Sequence, residues 1–196
     1  MKQIEENEPH RNFVFSTEES FGYMNHNHVR DKDGVASVAL MAEIALWYKT
    51  RGMNLIDALD EVYEKFGYSK ETLLCLNYYG KEGAEKIDRI MDRFRSTIKE
   101  KFQDDPIESI EDYEKGELYN LDTKSSQKFD FPSSNVLCYN LKSGARICVR
   151  PSGTEPKIKF YIMISESKGS LEEKKKSADS KIEKTLAFIK DQAELA

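Results

Sequence analysis

Arg150, Ser152, Gly153, Thr154 and Lys159 bring two cations, two hydroxyls and a glycine together within ten residues, in "RPSGTEPKIKFYIMIS". This combination suits an anion. A guanidinium offers a planar fork to phosphate oxygens, hydroxyls add neutral donors, and backbone amides near a glycine can converge on the same charge. Pro151 and Pro156 stiffen the connection, and Lys159 lies on the polar face of the following run. The same composition also describes a polar hairpin turn whose Ser152 and Thr154 bond their own backbone. A second group, Glu18, Glu19 and Ser20 ahead of Gly22, places carboxylate and hydroxyl two residues apart. A charged acceptor beside a hydroxyl could hold neighbouring sugar hydroxyls, and an acidic turn before a helix reads the same way. Next comes "HVRDKDG", in which His28, Arg30, Asp31, Lys32 and Asp33 crowd a helix start with Asp33 as its cap.

These groups have to be positioned by the elements around them. "DKDGVASVALMAEIALWYKTRG" carries Val38, Met41, Ala45 and Tyr48 at helical spacing, beside a second stripe of Leu40, Ile44 and Trp47, so the sequence predicts a helix with a wide buried face. Asn54 begins a second helix as N-cap, with Leu55, Leu59, Val62 and Phe66 as its apolar side and Gly67 as its stop. A third helical stretch aligns Ile87, Ile90, Met91, Phe94 and Ile98. Periodicity then breaks between about Phe102 and Asn135, where "KGELYN" and "TKSSQKFDFPSS" read as a connection holding one strand, Ile107 to Tyr113. "NVLCYNL", "ARICVR" and "PKIKFYIMIS" read as strands, the last with Ile158, Phe160, Ile162 and Ile164 on one face. Ser170 and Glu173 form a capping box for a final helix burying Ala178, Ile182, Leu186 and Ile189.

The expected architecture is therefore an α/β region, mostly helical here, over residues 1–100, followed by an α+β domain over 101–196. The second would have a mainly antiparallel four-stranded sheet covered by helix on one face. A chain of 196 residues with 39% hydrophobic content can build such cores, and the formal net charge of −5 gives no overall drive toward nucleic acid or acidic membranes. Any anion must be met by a local site. Cys75, Cys138 and Cys148 show no C-x-x-C spacing, which predicts reduced structural thiols rather than a disulfide framework or zinc site. "MKQIEENEPHR" does not have the form of a secretory signal and no apolar run reaches membrane length, so a cytoplasmic location is expected.

"RPSGTEPKIKFYI" closely resembles the phosphate-binding loop in the C-terminal domain of the α-D-phosphohexomutases, the phosphoglucomutase and phosphomannomutase superfamily. "EESFGY", followed by "HVRDKDG" and the "AEIALWYK" helix, resembles the sugar-binding loop of the same superfamily, in the form of its bacterial phosphoglucomutase branch related to phosphopentomutases. The two motifs stand in the expected order, and the resemblance covers nearly the whole chain. One local departure is Phe15-Ser16-Thr17-Glu18, where relatives commonly read F-G-F-E. The resemblance implies that 1–100 is the C-terminal part of domain 3 and 101–196 is domain 4. It implies that Glu18 and Ser20 bind the sugar 3- and 4-hydroxyls. Arg150, Ser152, Gly153, Thr154 and Lys159 would bind the phosphate that is not being transferred. Lys32, with Arg30, would face the cleft, where Lys32 is a candidate for acid–base assistance.

The superfamily's S-H-N-type phosphoserine loop and D-G-D-type Mg²⁺ loop do not occur in this sequence. No metal ligands are therefore expected here, and this chain alone is expected to be inactive. The resemblance implies a full enzyme in which a phosphoserine and Mg²⁺ interconvert hexose 1-phosphate and hexose 6-phosphate through glucose 1,6-bisphosphate. Its partners would be the phosphosugar substrate, domains 1 and 2 and the rest of domain 3, with neither nucleic acid nor membrane involved. A chain with part of domain 3 would expose apolar surface and self-associate. A noncatalytic phosphosugar-binding module, and phosphopentomutase or phosphomannomutase specificity, are the alternative readings.

Overall fold

The computed structural model describes residues 13–18, 22–26 and 31–196. Ser20, His28 and Arg30 lie outside the described residues. The chain divides into two compact units, Met1–Glu61 and Val62–Ala196. This division comes earlier than the break in periodicity near residue 102, because the helix preceding that break belongs to the second core.

In the first unit, strands β1 (Ser16–Thr17) and β2 (Tyr23–Met24) pair antiparallel, with the rings of Phe15 and Tyr23 stacked 6.3 Å apart. Helix α1 (Gly34–Lys49) starts at Asp33, whose side chain accepts from the Val35 and Ala36 amides, as its sequence predicts. Those amides, together with the protonated form of the nearby His26, depress the Asp33 pKa. The buried face expected of α1 is not found, since none of its residues is buried and Val38 is 72% exposed. Helix α2 (Leu55–Phe66), within which the division at residue 61 falls, is capped reciprocally, with Asn54 Oδ1 accepting from Ile56 and Asp57 and the Asn54 amide donating to Asp57. Leu55, Leu59, Val62 and Phe66 are likewise exposed, and only Ala58 of this helix is buried. Both helices have the apolar periodicity of packed helices, but the described residues cover those faces only in part.

The second unit is built on one antiparallel sheet of eight strands, larger than the four that the sequence pattern suggests. In chain order these are β3 (Tyr68–Asn77), β4 (Lys101–Phe102), β5 (Asp105–Asp112), β6 (Glu117–Asn120), β7 (Ser125–Lys128), β8 (Leu137–Leu141), β9 (Arg146–Pro151) and β10 (Lys157–Glu166). The spatial order is β3-β10-β9-β8-β5-β6-β7, with β4 paired to β5 alone. Strands β6 and β7 occupy the stretch that reads as a connection. β6 is at most half-buried and β7 fully exposed, so neither shows a buried apolar alternation.

Helices α3 (Gly80–Thr97) and α4 (Leu171–Glu194) cover one sheet face. Ile87, Ile90, Met91 and Phe94 of α3 meet Ile158, Phe160 and Ile162 of β10, with the Phe94 and Phe160 rings 5.3 Å apart. Tyr139 is fully buried yet satisfied, its hydroxyl donating to the Phe94 carbonyl at 2.9 Å. Ser170 and Glu173 make both arms of the capping box on α4, and Ala178, Ile182 and Ile189 are buried with Leu186 partly so.

Candidate functional site

The loop that carries Glu18 folds around an ion pair that the sequence did not announce. Glu18 Oε2 lies 3.2 Å from Lys32 Nζ, and the Glu18 amide donates to the Gly22 carbonyl at 2.8 Å. Asp33 in turn donates its amide to the Tyr23 carbonyl, which joins the start of α1 to the ribbon. A Cβ at Gly22 would fall 2.6 Å from Lys32 Cδ and 2.8 Å from Glu18 Oε2, so glycine there leaves room for the pair to meet. Lys32 therefore orients a carboxylate and lowers its cost of standing half-exposed. The partner Ser20 predicted for Glu18 lies outside the described residues, as does Arg30.

The anion motif is displayed by the β9–β10 hairpin. Arg150 and Lys159 are directly opposed in its register, and both side chains project from the face opposite α3 and α4, since their neighbours Val149, Ile158 and Phe160 point into the core. Two cations in neighbouring positions repel, so the position favours a negative guest. Among the described residues neither has an ion-pair partner, because the one carboxylate in the turn, Glu155, is taken by Lys157. That pair holds Glu155 below and Lys157 above their usual ranges.

The turn itself is closed by its own backbone. The Ser152 amide donates to the Lys157 carbonyl at 2.8 Å and the Lys157 amide to the Glu155 carbonyl at 2.7 Å. The Thr154 amide reaches Ser152 Oγ at 3.4 Å, the local bond expected of a polar hairpin. Tyr78 donates its amide to the Pro156 carbonyl at 2.9 Å, which fastens the turn to the end of β3. Gly153 is not in the left-handed region, and nothing lies within 4 Å of where its Cβ would stand. The fold therefore does not demand glycine at 153, and its lack of a side chain serves to keep space open beside the turn. That space is part of a cavity of about 500 Å³ lined by residues 151–156 and by Gly80, Ala84, Ile87 and Asp88. Arg150 and Lys159 are not among the residues that line this cavity.

A second cavity of about 520 Å³ lies between α3 and strands β5 to β8, but its Arg95 and Asp112 are already paired. Arg95 there is bound by Asp112 at 3.0 Å, Glu114 at 3.1 Å and Asn135 at 2.9 Å. Among the described residues, no three His, Cys, Asp or Glu side chains gather as a metal ion would require. The described residues thus gather no ligand set for Mg²⁺. No helix among the described residues is long and apolar enough to cross a membrane.

The class is that of an α+β unit with a cationic hairpin, preceded by a carboxylate loop at the start of a helix. The models for phosphoglucomutase/phosphomannomutase alpha/beta/alpha domain III and for the C-terminal domain of the same family match residues 1–66 and 80–180. The chain belongs to the phosphoglucomutase/phosphomannomutase family. It is 39% identical over 163 residues to the phosphoglucomutases of Staphylococcus aureus strains bovine RF122 / ET3-1 and MRSA252, which covers 83% of this chain and 29% of each relative. Among solved structures it is similar to the open form of the exocytosis-sensitive phosphoprotein pp63/parafusin, a phosphoglucomutase from Paramecium. That likeness has a TM-score of 0.57 at 20% identity, covering 92% of this chain and 30% of the other. The chain thus spans less than a third of the length of these relatives.

Proposed function

We propose that this chain supplies the sugar-hydroxyl and distal-phosphate binding of a phosphoglucomutase-type enzyme. The observation that carries the reading is the opposed pair of Arg150 and Lys159 at the base of the 152–156 turn, without an ion-pair partner among the described residues. In the whole reaction a phosphoserine donates its phosphoryl group to a hexose monophosphate, the bisphosphate turns over, and the other phosphate returns to serine. Whichever phosphate is not reacting needs a fixed receptor, and charge-assisted hydrogen bonds from Arg150 and Lys159 fit that task. Glu18, aligned by Lys32, accepts from sugar hydroxyls, with Ser20 beside it in sequence. Lys32 acts here as a positioning residue. The serine nucleophile and the Mg²⁺ ligands belong to segments with no counterpart in this sequence, so this chain alone binds without turning over. Domains 1 and 2 and the rest of domain 3 are the partners that this reading requires, in a cytoplasmic enzyme.

Titrating the ¹⁵N-labelled chain with glucose 1,6-bisphosphate tests the reading. Amide shifts are expected to concentrate at residues 150–159, and Arg150→Ala should weaken binding by about ten- to a hundredfold, the range for one charge-assisted hydrogen bond. Equal affinity of the wild type and Arg150→Ala would remove this hairpin from the site.

A further inference from the structure

Two of the cysteines that look scattered in sequence are brought face to face. Cys138 on β8 is paired directly with Cys148 on β9. At the end of this hairpin the Leu141 amide donates to the Ala145 carbonyl at 2.8 Å. Hydrogen-bonded and non-hydrogen-bonded pairs alternate along an antiparallel ladder, so the Cys138/Cys148 pair, three residues along, is non-hydrogen-bonded. At such positions Cα atoms stand about 4.5 Å apart, at the short end of the span a disulfide bridges. The two thiols therefore lie next to each other and shift each other's ionisation in opposite directions.

The neighbours make the two sulfurs unequal. Cys148 is partly exposed and Cys138 is buried. Arg146, two residues before Cys148 on the same face, is held in place by Glu111 at 2.8 and 2.9 Å and places a positive charge near the Cys148 sulfur. The neighbouring Cys138 thiol, and then the Arg146 guanidinium, bring the Cys148 thiol down to about 7, while the Cys148 sulfur and burial push Cys138 up. One sulfur is thus a partly exposed thiolate near neutral pH and the other a protonated thiol waiting beside it. Cys75, on β3, has no cysteine opposite it in the register.

We propose that Cys138 and Cys148 are a redox couple, cycling between dithiol and cross-strand disulfide with a peroxide as oxidant and a dithiol as reductant. The Cys148 thiolate attacks one oxygen of hydrogen peroxide. The O–O bond breaks, hydroxide leaves, and sulfur is oxidised to a sulfenic acid. The Cys138 sulfur then displaces the hydroxyl group from the Cys148 sulfur, forming the S–S bond. Its thiol proton leaves with that hydroxyl as water, and the proton lost earlier from Cys148 neutralises the first hydroxide. Two thiols and one peroxide therefore give one disulfide and two waters. The short Cα separation strains the bond, which makes it easy for an external dithiol to reduce.

The chain as it stands can be tested. It is treated with one equivalent of hydrogen peroxide at neutral pH, alkylated, and mapped by peptide mass spectrometry. The expected product is a Cys138–Cys148 link that dithiothreitol reverses, formed about tenfold faster than an ordinary thiol oxidises, as the larger thiolate fraction requires. Cys138→Ala should leave a sulfenic acid at Cys148 that dimedone traps, and Cys148→Ser should slow oxidation at position 138. Cys75→Ser should change neither result. Oxidation confined to Cys75, or wild-type oxidation of Cys148 straight to sulfinic acid without a link, would overturn the proposal. Because the link is read directly in the wild type, the test holds even if neither variant folds.

Discussion

Arg150 and Lys159 face each other as like charges, a repulsion that a bound anion would relieve. Lys159→Met should therefore raise the melting temperature slightly, by about 1–3 °C, in phosphate-free buffer, while inorganic phosphate should stabilise the wild type more than the variant. Thermal scans with and without phosphate check both halves. Glu111 is the opposite case. Burial works against its charge, but donors from Asn140, Arg146 and Tyr113 outweigh that and hold its carboxyl below the usual 4.5. A depressed carboxyl contributes stability that is full above the unfolded pKa and lost as pH falls through the folded one. Urea midpoints should therefore fall below about pH 4.5 in the wild type and flatten in Glu111→Gln. That variant is expected to cost about 1–3 kcal/mol at pH 7, with Arg146 left short of its partner. The sequence shows the hairpin cations because two strands and a tight turn fix a register. It does not show Glu18 meeting Lys32, because that contact closes a loop of fourteen positions whose path no local pattern encodes.

Among the elements, those with a local reason to form are the ones the sequence displays. α3 has an uninterrupted apolar stripe, α2 and α4 have side-chain caps, and β10 alternates without exception. Ser170→Ala should destabilise the second unit by about 1 kcal/mol, read by chemical denaturation, and Glu173→Ala should act through the same box. Strand β3 escapes notice because its inward face mixes Lys70 and Thr72 with Leu74 and Leu76, and Lys70 is accommodated only by its ion pair with Asp179 of α4. β6 and β7 escape for a different reason. They bury little and exist as extensions of β5, so their stability comes from pairing rather than from composition.

For the molecule as a whole, the uncovered faces of α1 and α2 matter most. Val38, Met41, Leu46 and Trp47 are each at least half-exposed on a helix whose sequence carries the pattern of a buried one. A second copy can cover such a face, so the isolated chain should associate in a concentration-dependent way, and Met41→Glu should weaken that association without unfolding the second unit. Sedimentation velocity across a dilution series reads the first effect and far-UV circular dichroism the second. A strictly monomeric profile at high concentration would count against it. The two cores differ because the second unit contains both its sheet and its helical cover, whereas the described residues of the first contain helices and only a two-stranded ribbon.

The sheet order has a kinetic consequence. β10 is bonded to β3 along all ten of its residues and to β9 along six, so its amides are released only when the whole second unit opens. Hydrogen exchange at Phe160 and Ile162 should be the slowest in the chain and that of β7 among the fastest. The 152–156 turn grows from the slow end of that range and is tied to Tyr78 as well. An arriving anion therefore meets backbone that is already ordered, and its residence time is set by the contacts it makes rather than by the closing of a loop.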